Sequence, residues 1–174
     1  MPAWSRPSAA SLIWLAALLG PTHAQGQPFA ADPAPADYIR RSGDAALIPN
    51  GHLALDGHAE VCGQSVTVLD PRLNDYAAAF PRFIVLNPSL FAKVATPVKL
   101  WIYGHECGHV SGLRDEAQAD CFGVARGLRE GWLTPQGLDQ ICAFIGIAQP
   151  DAAHFAGPER CALMRACYAK NAKR

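Results

Sequence analysis

The segment that most constrains this chain of 174 residues is His-Glu-Cys-Gly-His at positions 105–109, the pattern HExxH. On an α-helix, residues four positions apart lie on one face, about one turn from each other. A helical segment would therefore let His105 and His109 offer two imidazole nitrogens to one metal ion, with Glu106 beside that ion rather than bound to it. From there a carboxylate can take a proton from metal-bound water, as in a zinc hydrolase.

The residues before the motif predict the helix that it needs. Thr96 and Pro97 are an N-cap residue and a proline at the first helical position. Val98, Trp101, Ile102 and His105 then follow at helical spacing, so one apolar stripe ends in the motif, and Gly112 is suited to end the helix. We therefore expect a largely buried helix over residues 96–111. Histidines and a glutamate in such a setting need polar or metal partners.

A catalytic zinc site takes three protein ligands and leaves a fourth position open to water. Glu116 and Asp120 follow the motif and are four residues apart, so on a second helix they share one face. We expect Glu116 to be the third ligand. Asp120 would then accept a proton from the far nitrogen of a ligand histidine and fix its tautomer. An ordinary acidic first turn, favoured by the helix dipole, is the purely structural alternative.

The combination of HExxH with ExxAD resembles the gluzincins, in particular the heat-shock-type membrane zinc peptidases and the small minigluzincins. The resemblance covers about residues 96–131, and the rest of the chain matches no family pattern. It implies a zincin-like fold, Zn²⁺ as cofactor and a peptide or protein as substrate. The roles that it implies are metal binding by His105, His109 and Glu116, general-base catalysis by Glu106, and support of a ligand by Asp120.

A second resemblance keeps the third ligand open. The interval between His109 and Glu116 is shorter than in the membrane peptidases, and flanking transmembrane helices are lacking. Residues 105–115 also read HExxHxxGxxD, which resembles metzincin-like secreted proteases in which an Asp follows a glycine turn. Those enzymes have a methionine turn under the metal, a role that Met164, inside a predicted helix, suits poorly. We expect Glu116 rather than Asp115 to bind the metal.

The N-terminus has the layout of a secretory signal peptide. An apolar run over residues 9–20 follows Arg6, and the next four residues supply a helix break and a small residue, with cleavage expected after Ala24. The run is too short to span a bilayer, although an uncleaved anchor is the alternative. We therefore expect residues 1–24 to be removed, and a periplasmic or secreted protein without stable membrane insertion.

Charge and cysteine content agree with export. After residue 24 the chain has 14 basic and 15 acidic side chains, a balance that argues against nucleic acid or an anionic membrane as partner.

An even number of cysteines in an exported chain predicts disulfides, and no CxxC pair offers a thiolate metal site. Cys161 and Cys167 lie on one predicted helix, so we expect partners elsewhere, such as Cys142 for one of them. Cys107 faces away from the ligands, and a buried free thiol is the alternative there. The six cysteines are Cys62, Cys107, Cys121, Cys142, Cys161 and Cys167.

The remaining segments predict one small α+β domain over residues 45–174, with short N-terminal strands before a disulfide-stapled helical half that carries the metal site. Residues 25–44 form a Pro/Ala-rich leader, disordered or extended up to Asp37. Residues 59–62 and 65–69 predict a hairpin.

Three later segments complete the predicted domain. Residues 82–86 predict a strand that, by analogy with zincin-like folds, borders the cleft and pairs with substrate. Further helices are expected to begin at Thr134-Pro135 and Gly157-Pro158.

These features together predict an exported zinc metallopeptidase. Zinc is preferred to calcium or magnesium because two imidazoles and one carboxylate suit it better. The candidates for stabilising an oxyanion are Tyr76, Tyr103, Arg126 and His154. One alternative is a non-catalytic, zinc-binding, disulfide-stabilised interaction module, in which Glu106 would be dispensable. Another is a disulfide-stapled binding module whose HExxH is accidental.

Overall fold

The computed structural model describes residues 34–148 and 156–173, and the predicted signal peptide lies outside these ranges. The described part is a small domain of helices and short strands with three disulfides, which confirms the predicted α+β class. Its elements are α1 Pro35–Ser42, β1 Ala46–Ile48, β2 Leu53–Leu55, β3 His58–Glu60, β4 Val66–Leu69, β5 Ala77–Phe80, β6 Phe83–Leu86, α2 Pro88–Phe91, α3 Thr96–Val110, α4 Glu116–Glu130, α5 Pro135–Ile145 and α6 Gly157–Asn171.

The helices follow the sequence patterns closely. Helix α3 carries the motif and ends one residue before the predicted boundary, with Gly112 at a positive φ of 100° just after it. Thr96 is the first helical residue rather than the cap, because its hydroxyl donates to Asp56 instead. Helices α5 and α6 begin at the predicted prolines or beside them, and the Thr134 side chain caps α5.

Four strands form one sheet in the order β1-β4-β6-β5. Strand β6 is buried at all four positions because it pairs in parallel with β4 and antiparallel with β5. The expectation that the strand over residues 82–86 would border the cleft and receive substrate is therefore wrong. Its backbone groups are already paired on both sides, and within the described ranges β5 is the outer strand at that edge.

The hairpin predicted between residues 59–62 and 65–69 is wrong in its pairing. Strand β3 pairs instead with β2 through a turn at Asp56, whose φ is positive. Strand β4 pairs with β1 and β6, and a single isolated bridge joins Cys62 to Ser65. Pairing in the four-stranded sheet gives β4 a partner on each side, and all four of its residues are buried or half-buried there, so β3 is left to pair with β2.

The leader becomes structured earlier than its composition predicts. Helix α1 begins at Pro35, so the expectation of an extended chain up to Asp37 is wrong for its last residues. The Tyr38 ring meets the edges of Phe80 and Phe83 at centroid distances of 5.6 and 5.9 Å. Tertiary contacts of this kind override weak local propensity and join the end of the leader to the domain.

Small residues let α3 and α4 approach each other closely. Gly104 and Gly108 of α3 face Ala119 and Gly123 of α4. A methyl group on Gly104 would lie 3.1 Å from the Cα of Gly123, and one on Gly108 would lie 3.4 Å from the Cα of Ala119. With small residues four apart on both helices, backbone packs almost directly on backbone. This contact brings the start of α4 to the histidines of α3.

Three disulfides connect the elements, and none of the six cysteines is free. Cys142 bonds to Cys161, one of its two predicted partners, and Cys107 is not a free thiol. The three bonds are Cys62–Cys107, Cys121–Cys167 and Cys142–Cys161. They are consistent with an oxidising environment. Of the helices that the structure describes, none is long and apolar enough to cross a membrane.

We expect protein isolated from its natural compartment to show no titratable thiols when it is denatured without reductant. After reduction, all six cysteines should react with a thiol reagent. The measurement is a thiol titration in denaturant, with and without prior reduction. Six reactive thiols before reduction would contradict the disulfide framework.

We expect Gly104→Ala to lower the free energy of unfolding by about 1–3 kcal/mol, because the added methyl group presses on the backbone of α4. Helix propensity acts in the opposite direction, since alanine is favoured over glycine inside a helix by up to about 1 kcal/mol. Urea unfolding of wild type and variant measures the difference. Equal or greater stability of the variant would contradict the close contact between the helices.

Candidate metal centre

Three side chains converge where α3 meets the first turn of α4. The Nε2 atoms of His105 and His109 are 3.0 Å apart. Oε2 of Glu116 lies 3.1 Å from Nε2 of His105 and 3.3 Å from Nε2 of His109. The structure thus brings together the three residues expected to bind a metal, and this group could hold one ion.

The size of this donor triangle suits a small tetrahedral ion. Bonds of about 2.0–2.1 Å at tetrahedral angles place neighbouring donor atoms about 3.3 Å apart. The observed separations of 3.0 to 3.3 Å are close to one face of such a tetrahedron. Two imidazole nitrogens and one carboxylate oxygen also form a donor set that zinc accepts readily, whereas calcium and magnesium prefer oxygen.

Each histidine is oriented by a hydrogen bond at its other ring nitrogen. Nδ1 of His105 lies 2.8 Å from Oδ1 of Asp120, as predicted for that carboxylate. Nδ1 of His109 lies 2.8 Å from the carbonyl oxygen of Leu113. Because both partners accept hydrogen bonds, we assign the proton to Nδ1 in each neutral ring, which leaves the Nε2 lone pairs directed at the centre.

Asp115, the alternative third ligand, has a different role. It is the N-cap of α4, where its Oδ1 accepts a hydrogen bond from the backbone N–H of Gln118 at 2.8 Å. Glu116 then starts the helix with its carboxylate near the two histidines. The HExxHxxGxxD arrangement therefore does not bring its Asp to the metal-binding group, whereas HExxH with ExxAD does bring its Glu there.

The electrostatics of the centre suit proton transfer. Burial raises the pKa of Glu106, against the opposing effect of the neighbouring His105 and His109 imidazoles. A carboxylate with a raised pKa is a better proton acceptor, as a general base requires. Burial alone would lower the pKa of His105, but hydrogen bonds to Asp120 and Glu116 outweigh burial and raise it to about 9. A metal ion must displace a proton that such a ring holds.

The donor triangle opens on a cleft of about 950 Å³, which Glu106 also lines. Strand β5 contributes small side chains to the cleft, and the end of α5 and the residues just after it contribute large apolar ones. Among these, Ile147 lies just beyond the helix and is 87 % exposed. The apolar lining residues are Tyr76, Ala77, Ala79, Trp101, Ile102, Leu113, Phe144, Ile145, Ile147 and Ala148. A few polar groups in a largely apolar, open cleft are the usual form of a ligand-binding site.

Of the four candidates for stabilising an oxyanion, Tyr76 lines the cleft. Tyr103 is 1 % exposed and packs under the guanidinium of Arg126, which pairs with Glu60 at 2.7 Å. Tyr103 and Arg126 are therefore excluded as cleft residues. For Tyr103 the reason is helical geometry, since it lies two residues before His105 and so projects from nearly the opposite face of α3. His154 lies outside the described residues.

Two groups at the centre had no signal in the sequence. The Leu113 carbonyl belongs to the backbone, which no residue pattern marks. Arg160 of α6 donates from Nε to Oδ2 of Asp120 at 2.9 Å and from Nη2 to Oδ1 at 2.7 Å. Forty residues separate these two side chains, so their contact depends on the tertiary arrangement of α6 against α4.

Comparisons with known proteins add no family assignment. No family model matches this chain, and neither the curated proteins nor the solved structures contain a match. The geometry of the centre is therefore the basis for any inference about function.

Replacement of the ligands should separate the two possible third ligands. We expect Glu116→Ala to weaken zinc binding by at least about 100-fold, and His105→Ala or His109→Ala to abolish stoichiometric binding. Asp115→Ala should remove only the helix cap, which costs about 1 kcal/mol of stability, and leave zinc affinity nearly unchanged. Competition with a chromophoric chelator measures the affinities. Stronger loss in Asp115→Ala than in Glu116→Ala would contradict the assignment.

Proposed function

We propose that this protein is an exported zinc metallopeptidase. The observation that carries the proposal is the donor triangle of His105, His109 and Glu116, with Glu106 beside it, on an open cleft. A structural zinc site is closed by four protein ligands, whereas catalytic sites use three and leave one position for water or substrate. A base next to such a centre has a use in catalysis and none in a purely structural site.

The proposed reaction is hydrolysis of a peptide bond by water. Zinc, when bound, would polarise the scissile carbonyl and acidify the attacking water. Glu106 accepts a proton from that water and passes it to the leaving amine. Asp120 and the Leu113 carbonyl keep the two histidines in their ligand orientation throughout. Tyr76 is the cleft residue whose hydroxyl we assign to the developing oxyanion.

The edge of β5 supports an extended peptide as the substrate. Ala77 and Ala79 of this strand line the cleft, and their small side chains leave room beside the backbone. An edge strand can pair with an extended segment through its free backbone groups. Phe144 and the exposed Ile147 would contact alternate side chains of that segment. We therefore infer a preference for substrates with a large apolar residue near the scissile bond.

Two observations support export. The apolar run over residues 9–20, followed by a small residue at Ala24, is typical of a signal peptide. The three disulfides are stable in an oxidising compartment such as a periplasm or the extracellular medium. We propose that the protein acts there after removal of residues 1–24.

We expect Glu106→Gln to lower the rate of peptide hydrolysis by a factor of about 100 to 10,000, because the substitution removes the general base. Zinc affinity and stability should stay nearly unchanged, since Glu106 does not belong to the donor triangle. Cleavage of a peptide library, with and without a chelator, gives the rates. Chelator competition gives the affinity.

The matched control is Glu159→Gln, the same chemical change at an exposed position of α6, which should keep wild-type rates. Chelator-sensitive hydrolysis at the wild-type rate in Glu106→Gln would refute the mechanism. If zinc-loaded wild type cleaves no peptide of the library, the non-catalytic interaction module becomes the better description.

A further inference from the structure

Helix α6 reaches the metal centre with the side chain of Arg160. The carboxylate of Asp120 is 1 % exposed, and each of its oxygens accepts from Arg160 while Oδ1 also bonds to His105. The guanidinium carbon lies 5.5 Å from the centroid of the Trp101 ring, and that ring is 5.9 Å from the His105 ring. Arg160 therefore contacts two side chains, Asp120 and Trp101, that both adjoin the His105 ring.

The position of α6 is fixed independently of this contact. Disulfides Cys121–Cys167 and Cys142–Cys161 attach the helix to α4 and α5. Gly157 packs so tightly at the start of α6 that a methyl group there would clash with the carbonyl oxygen of Ile145. The backbone that carries Arg160 is thus held by covalent bonds and by close packing, so its guanidinium has little freedom to leave Asp120.

We propose that Arg160 is a positioning residue of the metal centre, which acts through Asp120 to hold the His105 ring in its ligand orientation. A carboxylate held by one hydrogen bond can turn about its terminal torsion, whereas a two-point guanidinium contact fixes its plane. Lysine cannot replace this fork, because an ammonium group acts as a single point charge. The inference rests on the metal-binding group and is independent of the proposed hydrolysis.

The test measures zinc affinity rather than activity. Outer partners of metal ligands typically contribute about 10- to 100-fold to metal affinity, so we expect a loss of about 10-fold or more in Arg160→Met. Arg160→Lys should show a smaller loss. Arg165→Met is the matched control on the same helix, where the arginine is exposed and pairs with Asp139. Its zinc affinity should equal that of wild type. Circular dichroism and thermal unfolding establish that each variant is folded.

A double-mutant cycle with Asp120→Asn separates positioning from a general effect on folding. If Arg160 acts through Asp120, then Arg160→Met has little further effect on zinc affinity in the Asp120→Asn background. The double variant also avoids an unpaired buried charge, so it remains useful if Arg160→Met alone does not fold. Equal losses in both backgrounds, or wild-type zinc affinity in folded Arg160→Met or Arg160→Lys, would overturn the proposal.

Discussion

The close contact between α3 and α4 is the constraint on which the rest of the structure depends. Two of the candidate ligands lie on α3 and the third lies in the first turn of α4, so the distances between their donor atoms follow from the separation of these helices. Glycine and alanine at the contact set that separation, because no side chain stands between Gly104 and Gly123. The same contact places Asp120, one turn after Glu116, against the far side of the His105 ring.

Two buried ion pairs from other elements also contact helix α3, one at His105 and one at Tyr103. One is Asp120 with Arg160, and the other is Glu60 with Arg126. Burial raises the pKa of Glu60 to about 7, although the Arg126 guanidinium opposes this effect. Removing one partner of a buried pair typically costs about 3–5 kcal/mol, because it leaves a desolvated charge. The core can therefore bury Asp120 and Glu60 only because Arg160 and Arg126 are packed against them.

Features set by neighbouring residues along the chain, such as helices and their caps, could be predicted from the sequence. Features set by contacts between distant segments, such as strand pairing, could not. Helix α3, and the placing of His105 with His109 and of Glu116 with Asp120 on single helix faces, follow from four-residue spacing and capping, which are local. That the two pairs meet depends on the contact between α3 and α4, which only the resemblance of HExxH with ExxAD to the gluzincins implied. Strand pairing was wrong because an alternating pattern identifies a strand and does not name its neighbour. Arg160 could not be found for a similar reason, since its contact with Asp120 depends on how α6 packs against α4.

The arrangement of the disulfides has a consequence for the order in which the protein matures. Each bond has one cysteine directly beside a residue of the centre: Cys107 follows Glu106, Cys121 follows Asp120, and Cys161 follows Arg160. In a reducing compartment these disulfides do not form, so the backbone beside Glu106, Asp120 and Arg160 is not held by a covalent bond. If the protein is exported and binds a metal ion as proposed, oxidation would come before firm metal capture, and a newly made chain would acquire its complete centre only in the oxidising compartment.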